Sequence, residues 1–189
     1  ANVMRENEGK KNYIGGGEES YGFLCEDFVR DKDAVSACVI LAEIAAWAKD
    51  QGLSLYQLLQ KIYVEYGFSK EKGISVVKKG KSGAEEIEAM MKKFRENPLT
   101  EIAGSKVTYF YDYSTLKGKD YAENETVTLD MPTTSNVLQY FTEDNTKVSI
   151  RPSGTEPKIK FYCEVHSKVK SIDELPEAEK AAEDFKVIK

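Results

Sequence analysis

The chain has 189 residues, 41% hydrophobic and 31% charged, with a formal net charge of −5 at neutral pH. That length suits one medium domain, or one small domain with part of another, and the acidic balance speaks against general nucleic-acid binding. No run approaches the roughly 18 apolar residues of a membrane span, and no charged-then-apolar leader opens the chain. Cys25, Cys38 and Cys163 are odd in number and widely spaced, which fits reduced, mostly buried thiols in the cytoplasm better than a disulfide framework or zinc site.

Ala1 to Lys11 is polar and without period, and reads as a frayed or linking segment. Tyr13-Ile14 fits the end of a strand. Then Gly15-Gly16-Gly17-Glu18-Glu19-Ser20-Tyr21-Gly22 packs four glycines around two carboxylates and a hydroxyl. On extended backbone Glu18 and Ser20 point the same way, and a carboxylate beside a hydroxyl can grip neighbouring sugar hydroxyls. The same spacing also fits a plain acidic turn. After a short mixed segment, Phe23 to Arg30, Asp31 and Asp33 are both N-cap candidates for a helix to about Asp50, with Gly52 as its stop. Between Ala34 and Ala48 Ser36 and Glu43 are the polar residues, so this helix is expected to be buried.

A second helix opens on the capping box Ser54/Gln57, carries Leu55, Leu58, Leu59 and Ile62 on one stripe, and ends near Gly67. Lys70 to Lys81 reads as a linker holding a short strand, Ile74–Val77. Ser82 with Glu85 forms another capping box, and Ile87, Met90, Met91 and Phe94 follow at amphipathic spacing until Asn97-Pro98. From Ser105 the period changes to two: Val107, Tyr109, Tyr111 and Tyr113 are expected on one face. Leu116 to Glu125 reads as turns, and strands follow around Val127–Leu129 and Val137–Phe141, with a hairpin turn at Glu143–Thr146. The alternating tyrosines are read as core and sheet-surface packing rather than base stacking. His166, the sole histidine, reads as a surface residue, and a helix is expected after Pro176.

Between the alternating runs Lys147–Ile150 and Lys158–Val165 lies Arg151-Pro152-Ser153-Gly154-Thr155-Glu156-Pro157. A planar guanidinium, the hydroxyls of Ser153 and Thr155 and the unobstructed N–H of Gly154 are what an oxyanion needs, and Pro152 and Pro157 restrain the ends. Composition alone also fits an ordinary hairpin loop.

Arg-Pro-Ser-Gly-Thr-Glu-Pro-Lys, followed by an alternating strand, resembles the phosphate-binding signature of the last domain of the α-D-phosphohexomutases, the phosphoglucomutases and phosphomannomutases. Gly-Glu-Glu-Ser-Tyr-Gly resembles the sugar-recognition loop of their third domain, and the order of the two motifs suits the family. Many members carry a different pair after the Ser, often with a histidine, where this chain has Tyr21-Gly22.

The resemblance implies an α+β chain. Residues 1–67 would be the helical tail of an α/β sugar-binding domain, and 68–189 a complete C-terminal antiparallel-sheet domain of the TATA-box-binding-protein-like kind. Glu18 and Ser20 would hold sugar hydroxyls. Arg151, Ser153, Gly154 and Thr155 would hold the phosphate that is not being transferred. In the family a phosphoserine in the first domain donates its phosphoryl group, and a sugar bisphosphate forms and reorients before returning one. A Mg²⁺ on an Asp-rich loop of the second domain assists. Neither the phosphoserine loop nor the Asp-rich loop is found here, so catalytic and metal residues are expected elsewhere in a longer enzyme, and this chain alone is expected to be inactive. Its implied partners are a hexose phosphate and the missing N-terminal domains, with neither nucleic acid nor membrane, and with dimerisation through residues 31–66 when isolated. A phosphopentomutase-type relative and a non-catalytic phosphometabolite-binding module are the alternatives.

Overall fold

The computed structural model describes residues 2–17, 22–28, 30–78, 80–154 and 156–184, which cluster into two units, Ala1–Lys61 and Ile62–Lys189. In the first unit, α1 (Asn2–Glu6) forms a single turn where the sequence reads as frayed. The strands β1 (Gly15–Gly17) and β2 (Phe23–Cys25) pair antiparallel with Gly16 opposite Leu24, so β1 begins just after the expected Tyr13-Ile14. The helix α2 (Ala34–Asp50) starts where its cap predicts: the Asp33 carboxylate accepts from the amides of Val35 and Ser36, both at 3.1 Å. The helix α3 (Leu55–Tyr66) opens on a closed capping box. Gln57 Oε1 accepts from the Ser54 amide at 2.8 Å, and Ser54 Oγ from the Gln57 amide at 3.2 Å.

The expectation that α2 is buried fails. Ala48 is fully buried, yet Val35 is 74% and Trp47 55% exposed, and Val39, Leu41 and Ile44 are exposed with them. A helix apolar on nearly all sides needs cover on nearly all sides, and the described strands of this unit are three residues long. The α3 stripe shares the deficit at Leu55, Leu59 and Ile62.

The second unit runs β3 (Phe68–Val77), α4 (Gly80–Glu96), β4 (Glu101–Ile102), β5 (Ser105–Asp112), β6 (Lys117–Asp120), β7 (Glu125–Thr128), β8 (Leu138–Thr142), β9 (Lys147–Pro152), β10 (Lys158–Ser167), a short 3₁₀ turn and α5 (Leu175–Asp184). Among the described residues eight strands form one antiparallel sheet in the order β3-β10-β9-β8-β5-β6-β7, with β4 on β5. The strands read from the sequence lack β4 and β6, the latter concealed by the polar composition of 116–125, and give β3 as the short stretch Ile74–Val77. The supposed linker 70–81 is mostly strand, because all ten residues of β3 pair with β10.

Unbroken alternation decides which face each strand buries. Leu138 and Tyr140, Val148 and Ile150, and Ile159, Phe161 and Cys163 turn to the core with Ile87 and Met91 of α4. Each such burial contributes about 1.5–3 kcal/mol. The Tyr140 hydroxyl, carried into this core, donates to the Phe94 carbonyl at 3.0 Å, while burial pushes the phenol far above its ordinary pKa. A smaller cluster gathers Phe68, Val169, Leu175 and Ala182 under α5.

Three local expectations are corrected. The helix α4 begins at Gly80, so Ser82 sits inside its first turn rather than capping it. A bulge between Val107 and Tyr109 breaks the period of β5, so Val107, Phe110 and Asp112 are buried while Tyr109 stays exposed. Of the cysteines, all free thiols, Cys163 is buried, Cys25 half-buried and Cys38 exposed. His166 is at the surface, bonded to Glu164 at 2.8 Å. No helix among the described residues is long and apolar enough to cross a membrane.

Candidate functional site

The loop joining β9 to β10 is closed by backbone bonds at its base. The Ser153 amide donates to the Lys158 carbonyl at 2.8 Å, the Lys158 amide to the Glu156 carbonyl at 2.7 Å, and the Lys78 amide to the Pro157 carbonyl at 2.8 Å. Within the loop Ser153 Oγ accepts from the Glu156 amide at 3.3 Å. The Lys158 ammonium bonds the Glu156 carboxylate and holds it below the ordinary carboxylate range.

Beside the loop α4 walls a cleft of about 880 Å³, lined by Ala84, Ile87, Met91 and Arg95 from the helix and by Ser153 and Gly154 from the loop. Arg95 is held from behind. Its Nε donates to Asp112 Oδ2 at 3.2 Å, and its Nη2 donates to Asn136, which lines the cleft as well. Asp112, buried, also accepts from the Ser114 amide and hydroxyl at 2.9 and 2.7 Å, so its charge is fully bonded.

Gly154 is informative. A Cβ placed on it would meet nothing within 4 Å, and its φ lies outside the left-handed region. Among the described residues neither crowding nor backbone conformation calls for glycine there. A bare backbone next to open space suits the close approach of a bound group.

The structure therefore brings Ser153 and Gly154 to the cleft and sets Arg151 apart from them. Arg151 follows Ile150 in β9, is exposed, and alternates to the sheet face opposite the α4 side. In register with it stands Lys160 of β10, whose Nζ lies 5.7 Å from the centre of the Tyr162 ring. The sequence reading missed Lys160, although the alternation Lys158-Ile159-Lys160-Phe161 assigns it to the face of Arg151. Thr155, and with it Glu18 and Ser20 of the glycine-rich loop, lie outside the described residues. Among the described residues no three His, Cys, Asp or Glu side chains converge as metal ligands.

Comparison with known proteins identifies the family. The family model for phosphoglucomutase/phosphomannomutase, alpha/beta/alpha domain III, matches residues 1–66, and that for the phosphoglucomutase/phosphomannomutase C-terminal domain matches residues 74–182. The phosphoglucomutase of Staphylococcus haemolyticus (strain JCSC1435) is 37% identical over 166 residues, 88% of this chain and 30% of that protein. That of Staphylococcus aureus (strain bovine RF122) is 39% identical over 162 residues, 86% of this chain and 29% of that protein. The chain thus spans about 30% of the length of these curated relatives. Among solved structures, the open form of the exocytosis-sensitive phosphoprotein pp63/parafusin, a phosphoglucomutase from Paramecium, superposes over 90% of this chain and 29% of its own. Its TM-score is 0.51 at 17% identity, a likeness of fold.

Proposed function

Since this chain belongs to the phosphoglucomutase/phosphomannomutase family, we propose that it supplies the substrate-holding part of an isomerase that moves a phosphoryl group between the 1- and 6-positions of a hexose phosphate. In this reading residues 1–67 belong to the third, sugar-binding domain and residues 68–189 form the fourth, phosphate-binding one. Arg151, Ser153, Gly154 and Thr155 take the phosphate that is not being transferred, and Glu18 and Ser20 take sugar hydroxyls. The observation that carries it is Gly154: an unobstructed backbone beside a cleft, in a loop whose base is tied by three backbone bonds. The backbone bonds at the loop's base support affinity, because they reduce the ordering entropy to be lost on binding.

The chemistry proposed for these residues is positioning. Amide and hydroxyl donors of the loop, with the Arg151 guanidinium reaching it from the adjoining strand end, fix a dianion at one end of the sugar, so that the other end presents its oxygen to the phosphoryl donor. The bisphosphate intermediate would be held by the same loop in either orientation. Mg²⁺, when bound, would neutralise charge on the transferred group, and its ligands would lie in other domains of a longer enzyme. A cytoplasmic setting accords with three free thiols.

Two experiments test this. Titration of the 189-residue chain should give weak binding of glucose 6-phosphate and almost none of glucose; equal affinity for both would sink the reading. In a full-length enzyme carrying this segment, Arg151→Ala should lower kcat/KM roughly 10- to 150-fold, since charge-assisted hydrogen bonds contribute about 1.5–3 kcal/mol each. Glu18→Gln, which keeps shape and an acceptor, should cost nearer ~1 kcal/mol. The Arg151 defect should appear from either sugar-phosphate isomer; near-normal kcat/KM in one direction would mean the phosphate is anchored elsewhere.

A further inference from the structure

The first turn of α4 lies so close to Lys78 that a methyl group has no room at Gly83. A Cβ on Gly83 would lie 2.6, 2.7 and 2.8 Å from the carbonyl carbon, carbonyl oxygen and Cβ of Lys78. Two of those atoms are backbone, so any larger residue at 83 must push on the carbonyl side of the Lys78 backbone. Gly80, three residues earlier, has φ +76°, so the turn leans on glycine twice.

What the same residue holds through its N–H, on the other side of its Cα, gives the crowding its meaning. The Lys78 amide donates to the Pro157 carbonyl at 2.8 Å, and Pro157 ends the loop that carries Ser153 and Gly154. One residue further, Lys158 bonds both the Glu156 carbonyl and the Ser153 amide through its own backbone. A line of contacts therefore runs from Gly83 through Lys78 and Pro157 to the loop. The Lys78 ammonium pairs with Glu86 of α4 at 2.9 Å, which ties the same residue to the helix.

We propose that the close approach of Gly83, in the first turn of α4, to Lys78 positions the β9–β10 loop: Gly83 is a glycine so that the Lys78 backbone keeps the place from which its amide holds Pro157, and with it Ser153 and Gly154, in the geometry that receives a phosphate group. The proposal rests on reading that loop as the phosphate site. It assigns no ligand contact to Gly83 or Lys78.

The 189-residue chain, isotope-labelled, is titrated with glucose 6-phosphate and with inorganic phosphate, and the Kd is read from shifts of the folded resonances. Gly83→Ala and Lys78→Pro, which deletes the donating N–H, are compared with Gly73→Ala. The last is a glycine of β3 whose added Cβ would meet nothing within 4 Å. Gly83→Ala and Lys78→Pro should each weaken phosphate binding about tenfold, the scale set by small misplacements of binding groups. Gly83→Ala should also speed hydrogen exchange at the Lys78 amide, while Gly73→Ala stays within about twofold of the parent in Kd. A merely structural role would lower the melting temperature and leave the Kd of the folded fraction alone. Undiminished affinity in folded Gly83→Ala or Lys78→Pro overturns the proposal, even when Arg151→Ala abolishes binding. Equal binding by the parent and Arg151→Ala overturns the reading of the loop instead.

Discussion

Two helices of this chain have the same length and opposite fates. Both α2 and α4 run for 17 residues. Between Ala34 and Ala48 α2 is almost wholly apolar, yet it exposes Val35, Val39, Leu41, Ile44 and Trp47. The helix α4 is rich in Lys and Glu, yet it buries Met91 to 2% and Ile87 to 6% against the sheet. Burial follows the surface available to pack on. A narrow stripe over eight strands is covered, and a broad one over two short strands is left open.

The contrast can be broken by substitution. Met91→Ala should cost about 2–5 kcal/mol, because it leaves a cavity in the main core; chemical denaturation followed by tyrosine fluorescence or circular dichroism would measure it. Tyr140→Phe should cost about 1 kcal/mol, since it removes the bond to the Phe94 carbonyl without opening space. Acid should act on the same unit through Asp144. Its burial raises the carboxyl pKa, but bonds from Thr142, Thr146 and Ser105 outweigh that and leave it below the ordinary 3.8. A depressed folded pKa means stability that is present above about 3.8 and lost as pH falls through the lower folded value. Asp144→Asn should flatten that loss in denaturation curves taken from pH 5 downward; an unchanged acid slope would assign it to other carboxylates.

In α2 the expected effect is the smallest. Leu41→Ala, at a residue 56% exposed, should change stability by less than about 0.5 kcal/mol. A cost near that of Met91→Ala would mean α2 is packed in solution. Light scattering addresses this directly, because the open apolar face should drive self-association through residues 31–66 as concentration rises. A monomer at every concentration would mean this face needs no cover.

What the sequence could convey depended on whether its signals were local. Asp33 as a cap and the Ser54/Gln57 box were legible because a few adjacent atoms decide them. The strands flanking the 151–157 loop were legible because Val148, Ile150, Ile159 and Phe161 alternate without interruption. The length of β3 was hidden, since Lys70-Glu71-Lys72 reads as solvated linker and becomes strand by pairing with a partner far along the chain. The bulge in β5 was hidden too, because two-residue alternation carries no mark of an inserted residue. At the candidate site, Ser153 and Gly154 were found by type and spacing. Arg95 and Asn136, brought to the cleft by tertiary packing, left no pattern to read.

The pairing of β3 with β10 also has a kinetic side. Phe68 meets Ser167 and Val77 meets Lys158, so the first strand of the second unit finds its partner in the last. Such closure joins ends that the intervening strands must first draw together, which raises contact order and slows folding relative to helical domains of similar size. During synthesis from the N-terminus, β3 must wait unpaired while β4 to β9 emerge. Its central Lys70-Glu71-Lys72 then acquires a second use: charged side chains on a waiting strand discourage edge-to-edge association until β10 arrives.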